Sequence, residues 1–202
     1  MNTRKIFCVL IVVVMVFAVT ACGGQTGGGS GSGSNLSGSA LDILSKLDEE
    51  LKKTGIEMPM TLPPLEVTAD MSQNDIGLSS SDFNRLVESA ASSLAAIGTF
   101  AHQIAVIQAK DVSAAAEVKK LISGANGYDA QKWICVWPEK VIVVESAAYV
   151  LLAAAHADVV DAAVEAFKNE AGTIGTVVTF FEHEGGADGG IAPPGGEPIT
   201  LG

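Results

Sequence analysis

Thiol and imidazole side chains are the first candidates for chemistry in this chain of 202 residues, which has three cysteines and three histidines. Cys135 with His102 or His156 would supply a thiolate and an imidazole, the nucleophile and base of cysteine enzymes. However, Cys135 lies in the apolar stretch KWICVWP, between Trp133 and Trp137. A cysteine among apolar neighbours behaves as a small, inert hydrophobic residue. The sequence therefore favours a packing role for Cys135.

One stretch has part of the pattern of a calcium loop. In DMSQNDIGLSSS, Asp70, Ser72 and Asn74 occupy the first, third and fifth positions of such a loop. Asp75 replaces the glycine that the turn needs, and Ser81 replaces the bidentate glutamate. We therefore expect a polar loop before a helix.

A second cluster of potential metal ligands consists of Glu182, His183 and Glu184. Adjacent residues rarely converge on one ion, and no second ligand pair lies nearby at the spacing of a metal site. Serine-hydrolase, zinc-protease and phosphate-loop motifs are also absent from the sequence. The sequence predicts no catalytic residue, no metal and no other cofactor, and it favours a non-catalytic protein.

The aromatic residues Tyr128, Trp133 and Trp137, followed by Pro138, are the remaining candidate site. Exposed Trp and Tyr side chains are favoured anchors in interfaces and in sugar or peptide sites. The alternative is that these rings close the core. If the protein has a ligand site, we expect it to include these three aromatic residues.

A covalent modification is predicted at Cys22. Arg4 and Lys5 precede an apolar run over residues 6–19, which fits the apolar region of a signal peptide better than a membrane span of about 20 residues. The following VTAC resembles the lipobox of bacterial lipoproteins, which implies cleavage between Ala21 and Cys22 and a diacylglyceryl group on the Cys22 thiol. Two acyl chains suffice for stable anchoring. The alternatives are an ordinary signal peptide and an uncleaved membrane anchor.

The segment after Cys22 is rich in glycine and serine, which predicts a flexible tether with a reach of about 20–25 Å. The last part of the chain is rich in glycine and proline, which predicts a disordered tail. The predicted organisation is a signal peptide (1–21), a tether (22–40), a helix with an extended connection (41–77), an α+β domain (78–182) and a tail (183–202).

Charge and cysteine count restrict the partners. The formal net charge is −11, and removal of Arg4 and Lys5 with the signal peptide leaves 10 basic and 23 acidic residues, or −13. Nucleic acid and anionic headgroups would repel this charge, so nucleic acid is excluded as an expected partner. Loss of Cys8 and lipidation of Cys22 leave Cys135 alone, so the mature chain has no intramolecular disulfide.

The first half of the folded part predicts helices. Leucines over residues 41–53 recur every three or four positions, which is typical of an amphipathic helix. A proline-containing connection follows, with one short strand over residues 65–69. A second helix is predicted from a cap at Ser80 or Ser81 to Leu94, because its apolar residues form one stripe.

The second half predicts strand, helix, strand, strand and helix, and leaves an edge strand at residues 177–181 open. We expect an α+β fold, with a small antiparallel sheet that is covered by helices on one face and preceded by N-terminal helices. Tyr149, Leu151, Val143 and Phe167 should be buried together. The five elements cover residues 100–110, 114–122 (capped by Asp111 or Ser113), 140–145, 149–155 and the helix that Asp158 opens.

Three segments resemble a known family: residues 103–111 (QIAVIQAKD), 147–155 (AAYVLLAAA) and 158–168 (DVVDAAVEAFK). In this order, behind a lipobox and a tether, they resemble the bacterial lipoproteins that carry the domain of unknown function 4358, over roughly residues 78–170. That family often has a Gly/Asn turn where this chain has residues 146–148 (SAA). The resemblance implies a fold and an envelope location, and it implies no catalytic residue.

Together these features predict a lipoprotein anchored to the cell membrane on its extracytoplasmic face, acting as a binding or interaction module. Its partner would be a protein or a small ligand of the cell envelope. The alternatives are an envelope enzyme with an unrecognised active site and a structural accessory of a membrane complex.

Overall fold

Six antiparallel strands form one sheet in the computed structural model, which describes residues 34–133 and 135–183. The order of the strands across the sheet is β1-β2-β3-β5-β4-β6. The predicted α+β class with an antiparallel sheet is confirmed. The helices are α1 (Ala40–Lys53), α2 (Ser72–Ile76), α3 (Ser80–Leu86), α4 (Val112–Ile122) and α5 (Ala157–Ala171); the strands are β1 (Leu65–Glu66), β2 (Val87–Leu94), β3 (Gln103–Ala109), β4 (Lys140–Ser146), β5 (Tyr149–Ala155) and β6 (Val178–Glu182).

Helix starts follow local capping chemistry. Ser39 caps α1 in a capping box with Asp42, and Asp111, one of the two predicted caps, accepts the Ala114 N–H at the start of α4. Helix α3 is capped by Ser79, one residue before the predicted caps. Within the described residues, no helix has the length and apolar character needed to cross a membrane.

Helices cover both faces of the sheet, so the prediction that they collect on one face is wrong. On β5, Val150 and Leu152 belong to the same core cluster as α4, whereas Leu151 and Ala153 belong to the cluster of α1 and α5. Every residue of β5 is buried. A strand that is apolar on both sides must be covered on both sides, which gives three layers: helix, sheet and helix.

The predicted core is correct except for one residue. Tyr149, Leu151 and Phe167 lie in one cluster, beside α1 and α5. Val143 faces the other side, with α4, and its neighbour Val144 pairs with Leu151. Successive strand residues point to opposite faces, so an error of one position moves a side chain to the other core.

The predicted helix from residue 80 to Leu94 is also wrong, because α3 ends at Leu86 and the chain continues as β2. Strand β2 pairs with β1 on one side and β3 on the other. These ladders satisfy its backbone groups and outweigh the weak helical pattern of the VESAASSL segment. The edge strand left open by the sequence is present as β6.

The hairpin between β4 and β5 has a two-residue loop, since Ser146 pairs with Tyr149. Ala147 adopts φ 48°, a left-handed conformation that glycine and asparagine adopt more easily than alanine. The tight hairpin therefore forms without the Gly/Asn turn that the resembled family often has.

The segment before α1 also belongs to the fold. The Asn35 N–H donates to the Ala171 carbonyl (2.9 Å), and Tyr149 Oη donates to the Gly38 carbonyl (2.8 Å). The end of the predicted tether, from residue 34, thus packs on the domain, and so do α1 and β1 from the predicted connection. The predicted signal peptide, Ala21, Cys22 and the tail from residue 184 lie outside the described residues.

Candidate functional site

The two ends of the sheet carry different parts of the chain: the N-terminal segment lies at one end and the aromatic residues lie at the other. At the first, the entry end, residues 34–40 attach beside the β4–β5 hairpin loop: Ser146 Oγ donates to Ser34 Oγ over 2.9 Å. At the opposite end, the far end, β3 begins beside the end of β5, as Gln103 pairs with Ala154. All three predicted site residues, Tyr128, Trp133 and Trp137, precede β4 and lie at the far end.

Tyr128 is part of the core, as the alternative interpretation predicts. Its side chain is buried, and its ring makes edge contacts with Trp133 and Phe180 at centroid distances of 6.3 Å each. Trp133 and Trp137 are half-buried, and Trp137 contacts the His183 ring at 6.4 Å. The structure thus separates one core aromatic residue from two that reach the surface.

A buried amide organises this end of the fold. Gln103 is fully buried, and its Oε1 accepts hydrogen bonds from Tyr128 Oη (2.7 Å) and Lys132 Nζ (2.6 Å). Its Nε2 donates to the Asp75 carbonyl (2.9 Å) and to Ser92 Oγ (2.7 Å). Both polar atoms of the amide are therefore satisfied inside the protein.

Lys132, which sequence reasoning missed, completes this network. Its Nζ also lies 3.0 Å from the Asn74 carbonyl and 3.2 Å from the Asp75 carbonyl, and it sits 4.6 Å from the centroid of the Tyr128 ring. Burial lowers the pKa of Lys132 to about 8, against the attraction of the Asp75 and Asp129 carboxylates. With three acceptors for three N–H groups, the ammonium ties the loop before β4 to α2 and has no donor left for a substrate.

Two glycines permit this close packing. At Gly77, whose φ is 74°, an added Cβ would lie 2.2 Å from the Tyr128 backbone nitrogen. At Gly127, an added Cβ would lie 2.2 Å from the Ile122 carbonyl oxygen. A groove of about 390 Å³ lies beside them, between Gly77 and the end of α4; its polar lining includes Asp82, which is bound to Ser79 and Arg85.

Among the described residues, neither imidazole is hydrogen-bonded to Cys135. His102 is buried, its Nδ1 has no hydrogen-bond partner among the described residues, and burial, with a smaller effect of His156, lowers its pKa to about 4. His156 Nδ1 lies 2.9 Å from Glu139 Oε1. Cys135 is exposed, with φ 63°, so the prediction that it packs in an apolar environment is wrong.

Glu139 has a structural role that the sequence did not reveal. Its Oε2 accepts the Ala157 N–H over 3.0 Å, which caps α5 from outside the helix. The helix begins at Ala157, one residue before Asp158, the residue predicted to open it. Hydrogen bonds from Ala157 and His156 lower the pKa of Glu139, so its carboxylate stays charged where it faces the helix N-terminus.

Residues of the two clusters that the sequence analysis considered and disfavoured as metal sites make contacts that stabilise the fold. Ser72 Oγ lies 2.8 Å from the Ala69 carbonyl and 2.7 Å from the Leu78 carbonyl, so its single O–H is shared between them and closes the turn around α2. Glu182 lies in β6, and the His183 N–H donates to the Glu139 carbonyl (2.8 Å), so position 183 extends the sheet. Across residues 34–133 and 135–183, no three His, Cys, Asp or Glu side chains are placed to hold a metal ion.

Comparison of the chain with models of known protein families, with curated proteins and with solved structures finds no match. The resemblance to lipoproteins with the domain of unknown function 4358 therefore stays a prediction.

Proposed function

We propose that this protein is a lipoprotein held on the extracytoplasmic face of the cell membrane by a diacylglyceryl group on Cys22, and that its folded domain is a non-catalytic interaction module. The lipobox supports the anchor, and the family resemblance is consistent with it. The partner is a protein or a small ligand of the cell envelope.

The main support for the proposal is that the N-terminal segment and the aromatic residues lie at opposite ends of the sheet. The chain arrives from its N-terminal side at the entry end, where Asn35 binds the Ala171 carbonyl. The aromatic residues lie at the other end of strands seven residues long, about 20 Å away at 3.3 Å per residue. A domain anchored through its N-terminus thus has its aromatic end opposite its attachment point.

The far end also carries exposed apolar side chains on neighbouring loops. The Ala96 N–H donates to the Met60 carbonyl over 2.8 Å, so the loops before β1 and after β2 meet there. Met60, Ile97 and Phe100 are exposed by 79, 58 and 41%. Single exposed apolar residues are common, but several on adjacent loops of a rigid scaffold are typical of a binding surface.

An enzyme is the weaker candidate. An active site needs ionisable groups that converge in an accessible cleft. Three groups at the far end have strongly shifted pKa values: Lys132, His102 and Tyr128. The donors of Lys132 are satisfied, His102 is buried, and the buried Tyr128 hydroxyl donates to Gln103. A structural accessory of a membrane complex would use the same surface and would differ only in staying bound to its partner permanently.

Loss of the anchor tests the location. We expect Cys22→Ser to stop the processing step before residue 22 while export continues, because the substitution removes the thiol and leaves the basic and apolar signal regions intact. The wild-type N-terminal peptide should carry a two-chain lipid by intact mass, and the protein should stay with membranes at high salt. Cys135→Ser is the matched control, since it removes a thiol elsewhere and should leave lipid, processing and membrane fraction unchanged.

An unmodified N-terminus, or the same membrane fraction in Cys22→Ser as in the wild type, would contradict the lipid anchor. The first outcome favours an ordinary signal peptide or an uncleaved apolar anchor.

Photo-crosslinking in intact cells tests which end of the domain contacts a partner. A photoreactive residue in place of Phe100, at the far end, should give a discrete crosslinked product. The same residue in place of Val112, which is 54% exposed at the entry end, should give little. Equal products from both positions, or a product only from position 112, would refute the far end as the interaction surface.

A further inference from the structure

The two edges of the sheet differ in how they are protected. Strand β1 is two residues long and follows Pro63 and Pro64, which have no N–H to offer another strand. Strand β6 has five residues, VTFFE, with no proline and only one charged side chain. In the described part of the chain, β6 pairs on one side alone, with β4. Within residues 34–133 and 135–183, its outer side is therefore an open edge.

The register shows which backbone groups face outward. The His183 N–H donates to the Glu139 carbonyl, so residue 183 faces β4. In an antiparallel ladder the inward and outward positions alternate, so the N–H and carbonyl of Glu182 point away from β4. The register shifts near Phe180, whose ring is held by an edge contact with Tyr128. The edge is thus fixed in place by the core.

The one charged side chain of β6 is the acidic Glu182. Lys140 lies opposite Glu182 in the ladder but pairs with Asp161 (2.7 Å). The Glu182 side chain is exposed and has no ion partner among the described residues. A second copy would bring a chain of net charge −11 to the same edge. Charge therefore disfavours self-pairing and favours a basic partner.

We infer that β6 binds an extended, basic segment of a partner protein, which adds to the sheet as a seventh strand. Main-chain hydrogen bonds supply the affinity, and a lysine or arginine near Glu182 supplies the selectivity. The inference rests on the proposed function as an interaction module and specifies its partner. Trp137, which contacts His183 just beyond β6, lies beside the same edge.

The probe is a labelled peptide of about ten residues that alternates valine and threonine and has lysines at both ends. It is titrated by fluorescence anisotropy into the full-length protein in detergent. We expect saturable binding, which Glu182→Lys weakens about tenfold or more by placing like charges together. Glu66→Lys, the matched change on the β1 edge, should leave the affinity unchanged. The same peptide with glutamates at its ends should bind at least about tenfold more weakly.

Hydrogen exchange separates strand addition from simple charge attraction. Bound peptide should slow exchange of the Glu182 amide, and a peptide with a central proline should lose most of the affinity. Four results would overturn the inference: no saturation up to about 1 mM peptide, equal binding of the proline peptide, an equal effect of Glu66→Lys, or β6-dependent dimers in sedimentation. Because this assay is independent of lipid, its failure leaves the Cys22 result intact, and a failed anchor leaves this result intact.

Discussion

Replacing Phe167 by alanine should lower the free energy of unfolding by about 3–5 kcal/mol, the usual cost of removing a large buried aromatic side chain. Phe167 is the largest of the fully buried side chains, with no exposed surface. It lies in the cluster between the sheet and the two helices α1 and α5. Alanine would leave a cavity lined by side chains of the sheet, α1 and α5. These three elements cannot all move inward to fill it.

Chemical denaturation of the purified protein measures the effect as a shift of the unfolding midpoint at constant slope. Phe100→Ala is the matched control, because that ring is 41% exposed and should cost far less. A midpoint that Phe167→Ala leaves in place would mean that α5 does not pack as described.

Replacing Gln103 by leucine should cost about 2–4 kcal/mol, because the change leaves buried polar groups without partners. Tyr128 Oη loses its acceptor, Lys132 Nζ loses one of its three acceptors, and the Asp75 carbonyl loses the Gln103 donor. A hydrogen bond that involves a charged group is costlier to lose than a neutral one. The partly buried ammonium of Lys132 should therefore account for much of the effect.

Gln108→Leu is the control on the same strand. That side chain is only half-buried, and it bonds to Ser89 and Tyr149 near the entry end, so we expect a smaller loss of about 1 kcal/mol. Adding Lys132→Met to Gln103→Leu should recover part of the stability, since the charge that needs an acceptor is gone. If the two single changes were simply additive, the Gln103–Lys132 hydrogen bond would not be the stabilising contact.

Local features of the sequence are sufficient to predict most of the helices and strands. The leucine spacing of α1, the Asp111 cap of α4 and the short separation of the hairpin strands each involve contacts within a few residues. Such contacts depend on backbone periodicity and capping, which the order of residues specifies directly. The same holds for the apolar helix α5.

The candidate site could be predicted only in part. Tyr128, Trp133 and Trp137 stand out in the sequence because aromatic residues are scarce, at 5% of the chain. Gln103 and Lys132 do not stand out, although they organise the same region. Their partners lie 11 to 58 residues away along the chain, so neither local pattern nor spacing points to them.

The sequence by itself thus determined α1, β3, α4, the β4–β5 hairpin and α5, and it contains the motif around Cys22, because each depends on neighbouring residues. Tertiary structure alone decided that residues 87–94 form a strand, since β1 and β3 satisfy its backbone. It also placed α4 opposite α1 and α5, because both faces of β5 are apolar and each needs a cover. The exposure of Cys135 and the hydrogen bonds of Lys132 were decided in the same way, by which distant segments meet at the far end of the sheet.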